Sequence, residues 1–179
     1  VEIYNFLQKD DGLYRVYCTN RCIPILEVVR QDIELVDGYS TLIQSNYYKQ
    51  AQKLTGANWD YYSLAIPPIG SYLSGESQPD AKELGEYNTK YVISAYPLSD
   101  PDFVYVNTYG EYLLYQNKLF QPRANVEIIN YGNNNIYLNT KGKQEIRVAN
   151  VYSPFWTAQT PVGKLDTIET EIGLIQINN

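Results

Sequence analysis

The sequence predicts a mainly β protein: an antiparallel β-sandwich or jelly-roll-like fold in a single domain of residues 1–179. Three observations favour this fold class. Short runs of β-branched and aromatic residues recur through the second half of the chain at spacings of about 8 to 12 residues. A strong helical period occurs in one segment, at about residues 40–55. A chain of 179 residues is also long enough to bury one core.

The first third of the chain contains two candidate strands, residues 13–17 and 23–29. The second run also places apolar residues at helical spacing, but its β-branched residues favour a strand. A period of two continues through residues 33–39, where Asp37-Gly38 is a turn candidate. We therefore expect short extended pieces before the helix.

Residues 40–54 are the best helix candidate, with Ser40 as a capping residue and Gly56 where a helix stop is expected. The apolar face of this helix consists of Ile43, Tyr47, Ala51 and Leu54. The opposite, polar face carries Gln44, Lys49, Gln52 and Lys53. This pattern is typical of a helix that packs its apolar face on a core.

A long irregular loop region is predicted at about residues 56–85, because glycines and prolines interrupt it repeatedly. The segment is too apolar for simple disorder. Its apolar residues form the candidate interaction surface: Trp59, Tyr61, Tyr62, Ile66, Ile69 and Tyr72. The alternative is that they fold back and seal the protein's own core. Residues 80–87 are a short helix candidate within this region.

The second half is almost wholly β in pattern. Its strand-length runs are residues 91–93, 103–106, 112–115, 126–129, 136–138, 145–148 and 174–177. Turn residues separate them, including Tyr109-Gly110 and the Gly-Asn stretch of residues 132–135.

Tyrosine dominates the aromatic residues, with 19 Tyr against 4 Phe and 2 Trp, and histidine is absent. An apolar ring with a hydrogen-bonding tip suits a half-wet contact surface. The lack of histidine removes the usual general base and the commonest metal ligand. We therefore expect a binding protein with no enzymatic activity, no metal and no cofactor.

Charge and hydropathy argue against two kinds of partner, nucleic acid and the membrane. Fourteen basic and 20 acidic residues give a net charge of −6, which argues against nucleic acid because phosphate contacts need a basic face. No polybasic cluster for anionic lipid occurs, and no stretch approaches the roughly 18 apolar residues of a transmembrane helix. We expect no membrane insertion.

Cys18 and Cys22 lie four residues apart. A local disulfide across a tight turn and two reduced thiols are both consistent with this spacing. A zinc site is not expected, because neither histidine nor a second cysteine pair is present.

Two groups of acidic residues were weighed as chemical sites. Asp100 and Asp102 have oxygen ligands for calcium, but a proline turn explains them better. Glu169 and Glu171, near Asp166, would lie on one face of a strand as an acid and base pair. With no aromatic subsite nearby in sequence, a solvated acidic face is favoured.

Residues 125–138 resemble a hairpin of the β-sandwich modules found in virion structural proteins of phages and archaeal viruses. Val126, Ile128 and Asn130 match a strand of the type V-x-I-x-N, which leads through Gly/Asn residues into Ile136-Tyr137-Leu138. The resemblance covers about the last third of the chain. It implies a tail, collar, adaptor or turret component that works by oligomerising, and it implies no catalytic residues.

Three functions follow as hypotheses. The leading one is a structural or assembly protein, in a virion or outside the cell, that forms homo-oligomers and contacts other structural proteins. The second is a carbohydrate-binding or adhesin-like surface module, in which exposed Trp59, Tyr61 and Tyr62 stack on sugar rings. The third is an enzyme that relies on carboxylates such as Glu169 and Glu171. A cytoplasmic location stays open.

Overall fold

The computed structural model describes residues 2–39, 45–73, 77–132 and 134–179, with the side chains of Ile25, Tyr39, Tyr72 and Leu73 excepted. Strand occupies 36% and helix 19% of the chain, so the protein is mixed α/β, with five short helices in the described residues, where the sequence predicted a mainly β fold. The strand-rich part of the prediction is confirmed. The chain divides into two compact units, Val1–Gln121 and Pro122–Asn179. The single-domain expectation stays a prediction.

Unit 1 (Val1–Gln121) contains all the helices that the described residues form and seven strands. Its helices are α1 (Glu2–Leu7), α2 (Ile25–Arg30), α3 (Ser45–Thr55), α4 (Ile69–Leu73) and α5 (Ala81–Glu86). Its strands are β1 (Arg15–Cys18), β2 (Glu34–Leu35), β3 (Gly38–Tyr39), β4 (Ala65–Ile66), β5 (Thr89–Ser94), β6 (Phe103–Tyr109) and β7 (Tyr112–Asn117).

The main sheet of unit 1 has the strand order β2-β1-β5-β7-β6. Strand β1 runs parallel to both β2 and β5, whereas β7 is antiparallel to β5 and β6. The prediction of a wholly antiparallel fold is therefore wrong for this sheet. The central strand β5 is buried at five of its six residues, as expected for a strand covered on both faces.

Helix α2 connects β1 to β2 and so allows these two strands to run parallel. The strand predicted at residues 23–29 is wrong, because α2 occupies most of this segment. Pro24 precedes the first residue of α2 in an extended conformation, which suits a helix start. Arg30 pairs with Glu27 at 2.7 Å, three residues away on the helix surface. The β-branched residues were outweighed by these local signals, and the helix lets the chain cross over to a parallel β2.

The predicted central helix is present as α3, Ser45–Thr55, while residues 40–44 of the prediction lie outside the described residues. Ala51 and Leu54 are buried and Lys49 and Lys53 are exposed, as the pattern indicated. Ala51 packs in a small core with Ala57, Trp59 and Ile66.

The region predicted as an irregular loop, residues 56–85, contains more regular structure than expected. Strand β4 pairs antiparallel with β3, and α4 and α5 follow. The short helix predicted at residues 80–87 is confirmed as α5. Asp80 caps this helix by accepting a 2.9 Å hydrogen bond from the Glu83 N–H.

Unit 2 (Pro122–Asn179) is antiparallel throughout its described strands. These are β8 (Glu127–Tyr131), β9 (Ile136–Asn139), β10 (Glu145–Val151), β11 (Ala158–Thr160), β12 (Gly163–Glu169) and β13 (Leu174–Asn178). A four-stranded sheet has the order β10-β13-β12-β11, and β8 pairs with β9 in a hairpin. Ile146, Val148 and Ile175 form its core, with Ile128 and Leu138 of the hairpin packed against them.

The sequence predicted β8, β9, β10 and β13 but not β11 or β12 as separate strands. In β11 and β12 polar and charged residues occupy most positions, so neither has a clear alternation of apolar and polar side chains. Strand β12 pairs with the more apolar β13, and β11 pairs with β12 at the edge of the sheet.

A substitution at Gly56 tests how closely the end of α3 packs against the backbone of Gln78. The Gly56 φ of 65° is left-handed, and a Cβ there would overlap the backbone carbonyl of Gln78. Gly110 has a similar φ of 63° with open space around it. We expect Gly56→Ala to lower the free energy of unfolding by about 3 kcal/mol, and the matched control Gly110→Ala by about 1 kcal/mol. Equal losses in chemical denaturation would show that the close approach to Gln78 does not matter.

Candidate functional site

The predicted interaction surface divides into a buried part and an exposed part. Trp59 is only 7% exposed and Ile66 is fully buried. In contrast, Tyr61, Tyr62 and Ile69 are 50%, 69% and 61% exposed. The core-cover alternative therefore holds for Trp59 and Ile66. For the exposed residues the interaction surface stays a prediction, and the side chain of Tyr72 lies outside the described part of the structure.

Helix α3 holds the buried part in place. The Tyr48 ring packs edge-to-face on Trp59 with ring centroids 5.6 Å apart, and its hydroxyl donates a 2.6 Å hydrogen bond to the Tyr61 carbonyl. The Gln52 side-chain amide donates to the Trp59 carbonyl. Main-chain groups that no strand pairs are thus satisfied by side chains of α3.

We call the exposed part the Tyr61 patch: Tyr61, Tyr62 and Ile69. The Tyr61 hydroxyl lies 2.9 Å from where a Cβ on Gly70 would stand, so this ring reaches the start of α4 beside Ile69. Tyr62 follows directly in sequence. The patch is an apolar surface on a fixed base, which is typical of a contact site.

A buried polar cluster underlies the β3–β4 pair. The Arg21 guanidinium donates to the carbonyls of Gly38 and Pro67, at 3.2 and 3.0 Å. The Oδ1 atom of Asp37 is buried without a hydrogen bond from the described residues. Burial raises the pKa of the Asp37 carboxyl to about 7, although the nearby Arg21 charge acts to lower it. These contacts join two chain segments, and we assign the cluster a structural role.

Unit 1 also contains a cleft of about 410 Å³ that sequence reasoning did not identify. Its apolar and aromatic walls are Ile3, Tyr4, Ile23, Ile93, Tyr109 and Tyr112. We call it the tyrosine cleft. Four separate segments build it: α1, the turn after β1, the strand β5 and the β6–β7 hairpin. The high tyrosine content was the only sequence signal, and it did not indicate which tyrosines meet.

The hydroxyls of two cleft tyrosines, Tyr4 and Tyr112, have raised pKa values. Burial raises the pKa of the Tyr4 hydroxyl, and the Glu27 charge acts in the same direction. Burial also raises the pKa of Tyr112, together with a hydrogen bond to Glu111. These phenols therefore stay protonated well above neutral pH.

The structure pairs Cys18 with Cys22 in a disulfide, with Cα atoms 5.8 Å apart. Cys18 is buried in the core of unit 1, whereas Cys22 lines the tyrosine cleft. The bridge closes the turn between β1 and α2. It thereby fixes one wall of the cleft.

The two acidic pairs lie in different surroundings: Asp100 and Asp102 before β6, and Glu169 and Glu171 at and after the end of β12. Both carboxylate oxygens of Asp100 accept backbone N–H groups, from Ala81 and Asp102, each at 2.9 Å. Glu169 ends β12, but Glu171 lies in the turn that follows, so the expectation of one shared strand face is wrong. Within the described ranges, no group of three or more His, Cys, Asp or Glu side chains could hold a metal ion.

Over the part of the chain that the structure covers, no helix is both long and apolar enough to cross a bilayer. No family model, curated protein or solved structure matches this chain. The resemblance to virion modules therefore stays a prediction that rests on residues 125–138.

Substitutions of Trp59 and Tyr62 test the division of the loop into buried and exposed side chains. We expect Trp59→Ala to lower the free energy of unfolding by about 3–5 kcal/mol, because it empties a buried site. Tyr62→Ala should change it by no more than about 0.5 kcal/mol, because that ring is exposed. Urea denaturation followed by circular dichroism measures both. A large loss from Tyr62→Ala would contradict the assignment of its side chain to the surface.

Proposed function

We propose that this protein is a non-enzymatic assembly protein that acts through protein–protein contacts of a tyrosine-rich surface. One observation carries the proposal: the Tyr61 patch exposes three large apolar side chains on a base held by Trp59 and α3. Such side chains are costly to leave in water, and aromatic residues are enriched where protein interfaces form. The lack of histidine supports a role without catalysis.

A second observation supports assembly from unit 2. Phe155 and Val162 are almost fully exposed, in the β10–β11 connection and the β11–β12 turn. Covering these side chains in an assembly would remove their apolar area from water, which is favourable. We propose that they contribute a second contact in the assembled protein.

A virion component, of the tail, collar, adaptor or turret type, is the form of this function that we favour. The support is the β8–β9 hairpin, which forms at the residues that resemble the virion modules. Together with the four-stranded sheet it belongs to an antiparallel half-barrel. We propose that this unit is related to the β-sandwich modules. The proposed partners are copies of this chain and other structural proteins, in a virion or outside the cell.

Carbohydrate binding remains the second candidate, but only two of the three aromatic rings expected to contact a sugar are exposed. Trp59 was expected to stack on sugar rings, but it is turned into the core. Tyr61 and Tyr62 remain exposed and could stack on a sugar. A sugar-binding site would then consist of these two rings.

The test is the sedimentation behaviour of the wild type and of the triple variant Tyr61→Ser, Tyr62→Ser, Ile69→Ser over a range of protein concentrations. We expect the wild type to form multimers and the triple variant to be monomeric with an unchanged melting temperature. Val29→Ser is the matched control, because Val29 is 76% exposed on α2, outside the patch.

A wild type that is monomeric at all concentrations, or a triple variant that still assembles, would contradict the proposal. A monomeric wild type that binds a glycan, and loses this binding in the triple variant, would favour the carbohydrate candidate instead.

A further inference from the structure

The tyrosine cleft has the volume and the apolar lining that are typical of a small-molecule site. Its volume of about 410 Å³ lies within the range usual for ligand pockets, roughly 300–1,000 Å³. Ile23 and Ile93, both buried, form the floor, and Ile3 of α1 adds an apolar wall. All of these residues belong to unit 1.

Three tyrosine rings provide the remaining walls. Tyr4, Tyr109 and Tyr112 are each half-buried, so part of each ring is available to a ligand. The Tyr109 ring packs against Phe6 with centroids 6.4 Å apart, which restricts its movement. The face of a tyrosine ring is electronegative and attracts cations.

The described lining of the cleft carries negative charge. Glu2 lines it, and no lysine or arginine occurs among its described lining residues. Glu111 lies beside Tyr112, and the Glu27 charge acts on Tyr4 although Arg30 pairs with it. No positive side chain in the described lining competes for these carboxylates. A cation complements this cleft, and an anion does not.

The same unit already places an ammonium group among aromatic rings at another position. The Lys90 nitrogen lies 5.4 Å from the centroid of the Tyr14 ring and 5.7 Å from those of Tyr91 and Phe120. Asp10 provides the carboxylate partner. The tyrosine cleft also has aromatic rings and one carboxylate. None of its described lining residues supplies an ammonium group.

We propose that the tyrosine cleft binds a small, free quaternary ammonium ion that carries a short chain. A primary ammonium loses hydrogen bonds to water that apolar walls cannot replace, whereas a quaternary ammonium makes none. The methyl groups contact the three rings, Glu2 balances the charge, and the chain lies on the isoleucine floor. This site is separate from the Tyr61 patch, so its failure leaves the assembly proposal standing.

Calorimetric titration with choline and with 3,3-dimethylbutan-1-ol tests the proposal, because the two probes have the same shape and differ in charge. We expect choline to bind and the neutral alcohol to bind at least about tenfold more weakly. Equal affinities, or no binding of choline, would overturn the proposal.

Two variants locate the site. Tyr109→Leu keeps an apolar wall without the ring, and Glu2→Gln removes the charge; each should weaken choline binding by about three- to tenfold. Tyr105→Leu is the matched control, because Tyr105 is exposed on the same strand outside the cleft. Melting temperatures are measured in parallel to establish that each variant is folded. Unchanged affinity in folded Tyr109→Leu protein would place binding elsewhere and refute the assignment.

Discussion

Unit 1 depends on the ion pair between Asp10 and Lys90, which lies among aromatic rings. Helix α1 has six residues, too few for a stable isolated helix, so its position must come from tertiary contacts. Tyr91 donates a 2.8 Å hydrogen bond to Asp10, and the Tyr91 ring packs edge-to-face on Phe6 of α1. Through these contacts the central strand β5 positions α1. Because α1 supplies one wall of the tyrosine cleft and β5 part of its floor, the cleft depends on the same interaction.

The tyrosines have a second use besides surface contacts, which the composition alone did not reveal. Several hydroxyls donate to backbone carbonyls at helix ends and in loops. Tyr14 donates to the Leu7 carbonyl at 2.6 Å, at the end of α1, and Tyr96 donates to the Ser77 carbonyl at 2.5 Å. A tyrosine can thus fill apolar space and satisfy a loop carbonyl at once. This use suits a chain with short elements and long connections.

The sequence was informative where one local signal dominated. A short helix was predicted at residues 80–87, and the structure shows that Asp80 caps it. The strands of unit 2 that contact the core follow from their alternation. At residues 23–29 β-branching and helical spacing conflicted, and Pro24 decided for a helix. The directions of Trp59 and Tyr62 could not be predicted, because the contacts of Tyr48 and Gln52 determine which ring turns inward. The cleft could not be predicted because its walls come from distant segments.

A double-mutant cycle of Asp10→Asn and Lys90→Met is the most direct test of the Asp10–Lys90 interaction. Both side chains are 22% exposed, so we expect a coupling energy of about 1–2 kcal/mol at neutral pH, above that of surface pairs. Partial burial acts to raise the pKa of Asp10, but hydrogen bonds from Lys90, Tyr91 and the Gly12 N–H, with the Lys90 charge, hold it below its ordinary value. The coupling should therefore persist above the ordinary carboxyl pKa and disappear as the pH falls through the lowered one. Mutations that are additive within about 0.3 kcal/mol at neutral pH would contradict the account.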